Sequence, residues 1–201
     1  MPGRFSPGIV IFFSGVLSPI LAQEYVISTI AGGSPPPVHA VLATAVAAGM
    51  PYTDTADRQG NVYFASTGTN TVYKVDSRGM LTRVAGYATP GFSGDGGPAS
   101  EARLLLDVGP YGQGGVAVDA DGNLLIADTG NHRVRRVSSD GTIATIAGNG
   151  YARFLGRRRP CHAGDLELSP AVTTDSAGNV YVSDAGNNVV RVLRPVAPDG
   201  R

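Results

Sequence analysis

Three segments of this chain are one segment written three times. Asp57-Arg58-Gln59-Gly60-Asn61-Val62-Tyr63 returns as Asp119-Ala120-Asp121-Gly122-Asn123-Leu124-Leu125, and again as Asp175-Ser176-Ala177-Gly178-Asn179-Val180-Tyr181, at offsets of 62 and then 56 residues. Self-similarity at such a period marks a stacked or radial architecture, in which each unit needs its neighbours to bury its apolar faces. A residue written into every copy is first of all one that every copy needs in order to fold.

The middle copy is the clearest. Val116-Ala117-Val118 reads as a short strand ending at Asp119, and Asp121-Gly122-Asn123 as a turn, since Gly and Asn accept positive φ at little cost. Leu124-Leu125-Ile126-Ala127 is apolar at consecutive positions, as a strand covered on both faces requires. Asp128-Thr129-Gly130-Asn131 reads as a second turn, His132 to Val137 as a third strand, Ser139-Asp140-Gly141 as a third turn and Thr142 to Ala147 as a fourth strand ended by Gly148. Four short antiparallel strands joined by tight turns make one blade of a β-propeller. The fold class is therefore all-β, with blades near 52–86, 116–148 and 172–194. The pattern predicts strands at 62–66, 72–76, 81–85, 124–128, 133–138, 142–147, 180–183 and 189–194.

The third copy stops where its fourth strand is due. A strand of that type stands instead near the start of the chain, where Tyr25 to Gly32 aligns with the end of the middle copy, Ile27 on Ile143 and Gly32 on Gly148. About three blades and one closing strand make an incomplete ring. Open strand edges recruit other chains. A homodimer reaching six blades is the corresponding expectation, with Val26 to Ala31 of each copy beside Val189 to Leu193 of the other.

Around Ala127-Asp128-Thr129-Gly130-Asn131-His132-Arg133-Val134-Arg135-Arg136-Val137 the chain resembles NHL-repeat proteins. It is similar to bacterial secreted NHL-repeat propellers with inter-blade loops of the form Gly91-Phe92-Ser93-Gly94-Asp95-Gly96-Gly97-Pro98-Ala99. The resemblance covers essentially everything after Gln23. It implies a propeller of about six blades that serves as a binding or interaction platform; this sequence departs from it in blade number.

The polar residues of the repeat read as structural. Asp57, Asp119 and Asp175 each precede a turn (Gly60-Asn61, Gly122-Asn123, Gly178-Asn179), so each is expected to cap its hairpin through backbone N–H groups rather than join a cation-binding ring. Asp128-Thr129-Gly130-Asn131 and Asp184-Ala185-Gly186-Asn187 form the second turn, and Ser66 replaces Asp in the first copy, which a carboxylate metal ligand would not tolerate. His132 aligns with Asn70 and Asn188 and reads as a turn residue. No catalytic, cofactor-binding or metal-binding residue is assigned, and no cofactor is expected. Gly94-Asp95-Gly96-Gly97 lacks the Lys-Ser/Thr ending of a phosphate loop. Pro98 to Leu106, and before the first blade Ala40 to Ala48, are expected to form a helical turn or two on one rim of the propeller, where binding surfaces usually lie. Arg133, Arg135, Arg136 and Arg191 fall on third strands and read as a solvated face.

The address is written at the start. Met1 to Ala22 has a basic Arg4, an apolar run from Gly8 to Leu21 and a polar start at Gln23, which reads as a secretory signal peptide. Residues 23–201 are the partial propeller, secreted or periplasmic, with no membrane anchor. The formal net charge is zero, so no nucleic-acid partner is expected.

Residues 149–170 break the repeat. From Arg153 the chain runs Arg-Phe-Leu-Gly-Arg-Arg-Arg-Pro-Cys-His-Ala-Gly-Asp-Leu-Glu-Leu, where the offset of 62 predicts a loop like that beginning at Gly91. One codon choice for this stretch, read one base later, gives Gly-Phe-Ser-Gly-Asp-Gly-Gly-Pro-Ala-Thr-Gln-Ala-Thr-Leu-Ser, the family loop in register. The segment therefore reads as translated out of frame, leaving Cys161, His162 and Arg157 to Arg159 without a selected role. For the whole chain the leading expectation is an exported, non-catalytic scaffold for a protein, peptide or glycan ligand. The alternatives are a fragment of a propeller lyase or lactonase, and a decaying gene product without activity.

Overall fold

The structure is a computed structural model that describes residues 40–109, 113–151, 166 and 171–195. The signal segment, the strand expected at Tyr25 to Gly32, and all of residues 153–168 except Leu166 lie outside the described residues.

Three antiparallel sheets follow one another along the chain. The first holds β1 (Val41–Leu42), β2 (Pro51–Ala56), β3 (Val62–Ser66), β4 (Thr71–Val75) and β5 (Met80–Ala85), in the spatial order β1-β5-β4-β3-β2. The second holds β6 (Val116–Val118), β7 (Leu124–Asp128), β8 (Arg133–Val137) and β9 (Ile143–Ala147), in sequence order. Among the described residues the third holds β10 (Ala171–Thr174), β11 (Val180–Asp184) and β12 (Val189–Leu193). Strands stand where the repeat placed them, within a residue or so at each end. The inner strands β2, β6 and β10 are neighbours, as blades around an axis require. The described sheets do not close into a ring.

The repeat has a reason at each joint. A short 3₁₀ turn joins the second strand of each sheet to the third (Thr67–Thr69, Thr129–Asn131, Ala185–Asn187), and the residue that ends it is left-handed. Those residues are Asn70, His132 and Asn188, with φ of 51°, 51° and 53°. His132, aligned with Asn70 and Asn188 and read as a turn residue, thus ends the turn in the left-handed region. Gly130 is required for another reason, because a Cβ there would lie 2.3 Å from Leu105 Cγ.

The glycine-rich linker carries contacts that its composition does not announce. Phe92, Gly94, Asp95, Gly96 and Pro98 are exposed, but the linker is anchored through its backbone. Gly96 N–H donates to Ile143 O (2.8 Å), Ile143 N–H to Gly97 O (3.0 Å) and Ala99 N–H to Gly141 O (2.9 Å), so the linker leaves the first sheet and lies along the outer edge of the second. Its one helical turn, Ala99–Glu101, is 3₁₀. Beyond that turn Ala102, Leu104 and Leu106 are fully buried in the core between the first two sheets. Burial of each leucine adds on the order of 2 kcal/mol. The first sheet repeats the arrangement, with Val41↔Leu81 paired on its outer edge and Ala43 N–H donating to Gly79 O. Leu166, one offset of 62 beyond Leu104, is also fully buried, in the core between the second and third sheets.

Candidate functional site

Chemistry-bearing side chains gather in three places. The first is the end of the inner strands, where Asp57, Asp119 and Asp175 line a shared cavity of about 240 Å³. In each turn one carboxylate oxygen accepts two backbone N–H groups and the other accepts the Asn side chain. For Asp119 these are Asp121 N (3.0 Å), Asn123 N (2.8 Å) and Asn123 Nδ2 (2.8 Å). Asp57 takes Gln59 N, Asn61 N and Asn61 Nδ2; Asp175 takes Ala177 N, Asn179 N and Asn179 Nδ2. Gly60, Gly122 and Gly178 supply the positive φ of the turn (79°, 81° and 79°). Burial works against the ionised form of Asp57, but the hydrogen bonds from Asn61, Gln59 and Tyr63 outweigh it and hold its carboxyl below the usual range. Among the described residues no group of three or more His, Cys, Asp and Glu side chains is placed to hold a metal ion.

Tyr63 feels the same carboxylate from the other side. Its hydroxyl donates to Asp57 Oδ2 at 3.2 Å, and burial, then the charge and hydrogen bond of Asp57, push its pKa up to about 12. The folded-state value lies above the ordinary value of 10, so this contribution to stability is complete below pH 10 and disappears as pH rises through about 12. A Tyr63→Phe variant is expected to lose that alkaline limb. Denaturant midpoints measured between pH 9 and 12 check it: parallel curves for the two proteins would contradict the assignment.

The second place is a buried ion cluster on the third strand. Arg135 is completely buried, against the expectation that it is solvated, while Arg136 of the same strand is exposed. Its Nη1 donates to Asp128 Oδ2 (3.2 Å), while its Nη2 donates to Asp95 Oδ1 (2.7 Å) and Ser93 O (3.1 Å). The guanidinium also stacks on Phe92, 4.8 Å from the ring centre, with Arg133 at 3.8 Å from the same ring. Thr145 Oγ1 donates to the other oxygen of Asp95 (2.7 Å), Leu105 N–H to Asp128 (2.8 Å), and Asn131 Nδ2 to Asp128 and to Gly91 O (2.8 Å). Burial pushes the Asp128 carboxyl up, against the Leu105 N–H, Asn131 and Arg135. This cluster clamps the linker onto the second sheet. In the third sheet Arg191 pairs with Asp184 (2.5 Å), which Asn187 also holds (2.8 Å), while Gly186 sits within the same 3₁₀ turn. Sequence reasoning missed the clamp, though a signal was present: the copies carry Asp128 with Arg135, Asp184 with Arg191, and Ser66 with Tyr73, so acid and base leave together.

One consequence reaches into residues 153–168. The position 62 beyond Asp95 is Arg157, so the encoded loop brings a cation where the second sheet's linker brings the carboxylate. Replacing residues 153–165 by Gly-Phe-Ser-Gly-Asp-Gly-Gly-Pro-Ala-Thr-Gln-Ala-Thr is expected to stabilise the chain by about 1–2 kcal/mol, the scale of one charge-assisted hydrogen bond. Urea unfolding checks this, and an unchanged midpoint counts against the out-of-frame reading.

The third place is a cleft of about 550 Å³ between the first two sheets, within the usual range for a ligand site. Tyr63, Lys74 and Arg83 of the first sheet face Ser138 to Thr142 of the second across it, with Gly96 to Pro98 and Ser100 between. Lys74 Nζ lies 5.7 Å from the Tyr63 ring centre and the Arg83 guanidinium 5.5 Å from that of Tyr87. Among the described residues neither cation pairs with a carboxylate. Asp140, at the far side, is held below its usual range by hydrogen bonds from Thr142.

The sequence model of the NHL repeat matches residues 114–143, which run from the approach to β6 through the start of β9. The chain carries an NHL repeat. Among solved structures it is similar to a protein of unknown function from Bacteroides thetaiotaomicron, with 24% identity and a TM-score of 0.55, covering 66% of this chain and 32% of that one. An auxiliary nutrient binding protein from Bacteroides ovatus matches with 24% identity and a TM-score of 0.48 over 68% of this chain and 35% of its own. A gluconolactonase from Xanthomonas campestris matches with 14% identity and a TM-score of 0.49 over 77% and 46%. The chain thus spans less than half the length of each of these structures. A search of curated proteins gave no match. The NHL match and the three antiparallel sheets support the propeller fold. No helix among the described residues is long and apolar enough to cross a membrane.

Proposed function

We propose that this chain is an exported NHL-repeat binding module, secreted or periplasmic, that holds an acidic protein, peptide or glycan ligand in the cleft between its first two blades. The observation that carries this reading is the pair Lys74 and Arg83, two cations without carboxylate partners among the described residues, on one wall of a cleft of about 550 Å³. Two partly desolvated cations favour an anionic group, and Tyr63 offers an aromatic surface beside them. The serines at the opposite side, Ser138 and Ser139, add hydroxyl donors and acceptors for a polar ligand. The apolar stretch at Gly8 to Leu21 behind Arg4 supports export.

Calorimetric titration with an acidic oligosaccharide such as oligogalacturonate, an acidic peptide, and their neutral counterparts tests the reading. Binding of one acidic probe is expected to weaken about tenfold in a Lys74→Ala/Arg83→Ala variant, and to fall with added salt as exposed charge pairs do. No binding by either acidic probe, or binding indifferent to both substitutions, would overturn it.

A further inference from the structure

The described arginines that are fixed by side-chain hydrogen bonds fall into two groups. Arg78, Arg135 and Arg191 each face a carboxylate. Arg103 and Arg133 are held by main-chain carbonyls alone. Arg103 Nη2 donates to Pro90 O (3.0 Å). Arg133 Nη1 donates to Asn131 O (2.9 Å) and its Nη2 to Asn149 O (2.8 Å). Carbonyls fix a guanidinium without offsetting its charge. Neither cation has a carboxylate partner among the described residues, and Glu101, two residues before Arg103, does not pair with it.

Both cations rest on one segment, residues 87–92. Arg103 Cζ lies 3.2 Å from where a Cβ on Gly91 would stand, and the Arg133 guanidinium stacks 3.8 Å from the Phe92 ring centre. Arg133 is closely seated, since a Cβ on Gly150 would stand 2.3 Å from its Nη1. Around these two cations the aromatic residues stay in solvent. Tyr87 is 56% exposed, Phe92 42%, and Tyr151, two residues beyond the carbonyl of Asn149, 68%. The same segment holds a strained residue. Ala88 has φ of 63°, where its counterpart 62 residues on is Gly150. The other non-glycine residues in that region are Asn70, His132 and Asn188, types that tolerate it. Alanine has no such tolerance, and strain held in this way points to function.

The repeat does not call for these side chains. Thr71 and Val189 stand at the place of Arg133 in the other copies, Asn149 at that of Tyr87 and Thr89 at that of Tyr151. Exposed rings beside arginines, with no lysine among them, have the composition of the energetic centre of a protein–protein interface. The charge selects the partner, because a guanidinium fork binds a carboxylate through paired hydrogen bonds. We propose that Tyr87, Phe92, Arg103, Arg133 and Tyr151 form a second recognition surface, outside the cleft, for an acidic segment of a partner protein in which carboxylates alternate with apolar side chains. The surface stands independently of the cleft, although Arg83, 5.5 Å from the Tyr87 ring, borders both.

Nuclear magnetic resonance titration of the full chain tests this, with the peptide Glu-Leu-Glu-Leu-Glu-Leu-Glu, its Gln counterpart and oligogalacturonate as probes. The acidic peptide is expected to bind with Kd on the order of 0.1–1 mM and to shift the amides of Tyr87, Phe92, Arg103 and Tyr151. The neutral peptide and the glycan are expected to leave those amides unmoved. Arg103→Gln with Tyr151→Ser changes two exposed side chains, so the thermal midpoint is expected to hold while binding weakens about tenfold. Arg133→Gln is expected to weaken it as much, and Lys74→Ala to leave it unchanged. No binding of the acidic peptide at about 5 mM would overturn the proposal. So would equal binding of the neutral peptide, binding indifferent to Arg103→Gln with Tyr151→Ser, shifts confined to the cleft residues, or oligogalacturonate acting on the same amides.

Discussion

Arg135→Ala is expected to destabilise the fold by about 3–5 kcal/mol, the usual cost of stranding one member of a buried ion pair. The variant leaves Asp128, completely buried, with Leu105 N–H and Asn131 but no cation, and frees Asp95 from the guanidinium that seats the linker. It also removes a stacking partner of Phe92. Guanidinium unfolding should show a lower midpoint with a similar slope. Arg135→Lys should recover little, because an ammonium cannot span Asp128 and Asp95 as the planar fork does. A loss below about 1 kcal/mol would mean that the pair is worth no more than a surface salt bridge.

Gly148→Ala is expected to cost about 3 kcal/mol or more, from two sources that add at one atom. The backbone at Gly148 has φ of 83°, which an L side chain resists, and the new Cβ would stand 2.1 Å from His132 O. The obstacle is backbone, so β9 would have to draw away from β8 at Val134↔Ala147. Gly122→Ala is the control. Its φ is nearly the same, 81°, but nothing lies within 4 Å of its Cβ position, so only the conformational cost of about 1 kcal/mol remains. Thermal unfolding of the two variants separates strain from collision; equal losses would show that the contact at His132 relaxes without cost.

The strands, the turns and the blade repeat were legible because their causes are local. An Asp that caps its own turn, as Asp119 does with Asp121 and Asn123, is fixed by residues within a few positions of it. The anchoring of the linker was not legible because its partners are remote. Nothing near Asp95 announces Arg135, 40 residues on, and Gly-rich composition alone suggests an exposed loop. The burial of Arg135 had the same source: a basic residue on a strand is solvated by default, and only comparison of the copies shows Asp and Arg leaving together for Ser66 and Tyr73. The turn role of His132 was legible from its alignment with Asn70 and Asn188, and the structure gives all three the same left-handed backbone. The cleft between the first two blades was invisible in the sequence, since Lys74 and Ser139 meet only once two sheets are stacked.

The linker that lies along the next sheet's edge also fixes where this protein can be cut and rejoined. A sheet such as 116–148 looks like the natural module, but it leaves behind Asp95, the edge pairing at Gly96 to Ala99, and the buried Leu104 and Leu106. The portable piece begins at the linker and ends at the glycine after the fourth strand, from Gly91 to Gly148. Grafting, duplication or deletion in that phase keeps each clamp with the strand it grips; a splice at the sheet boundary divides both.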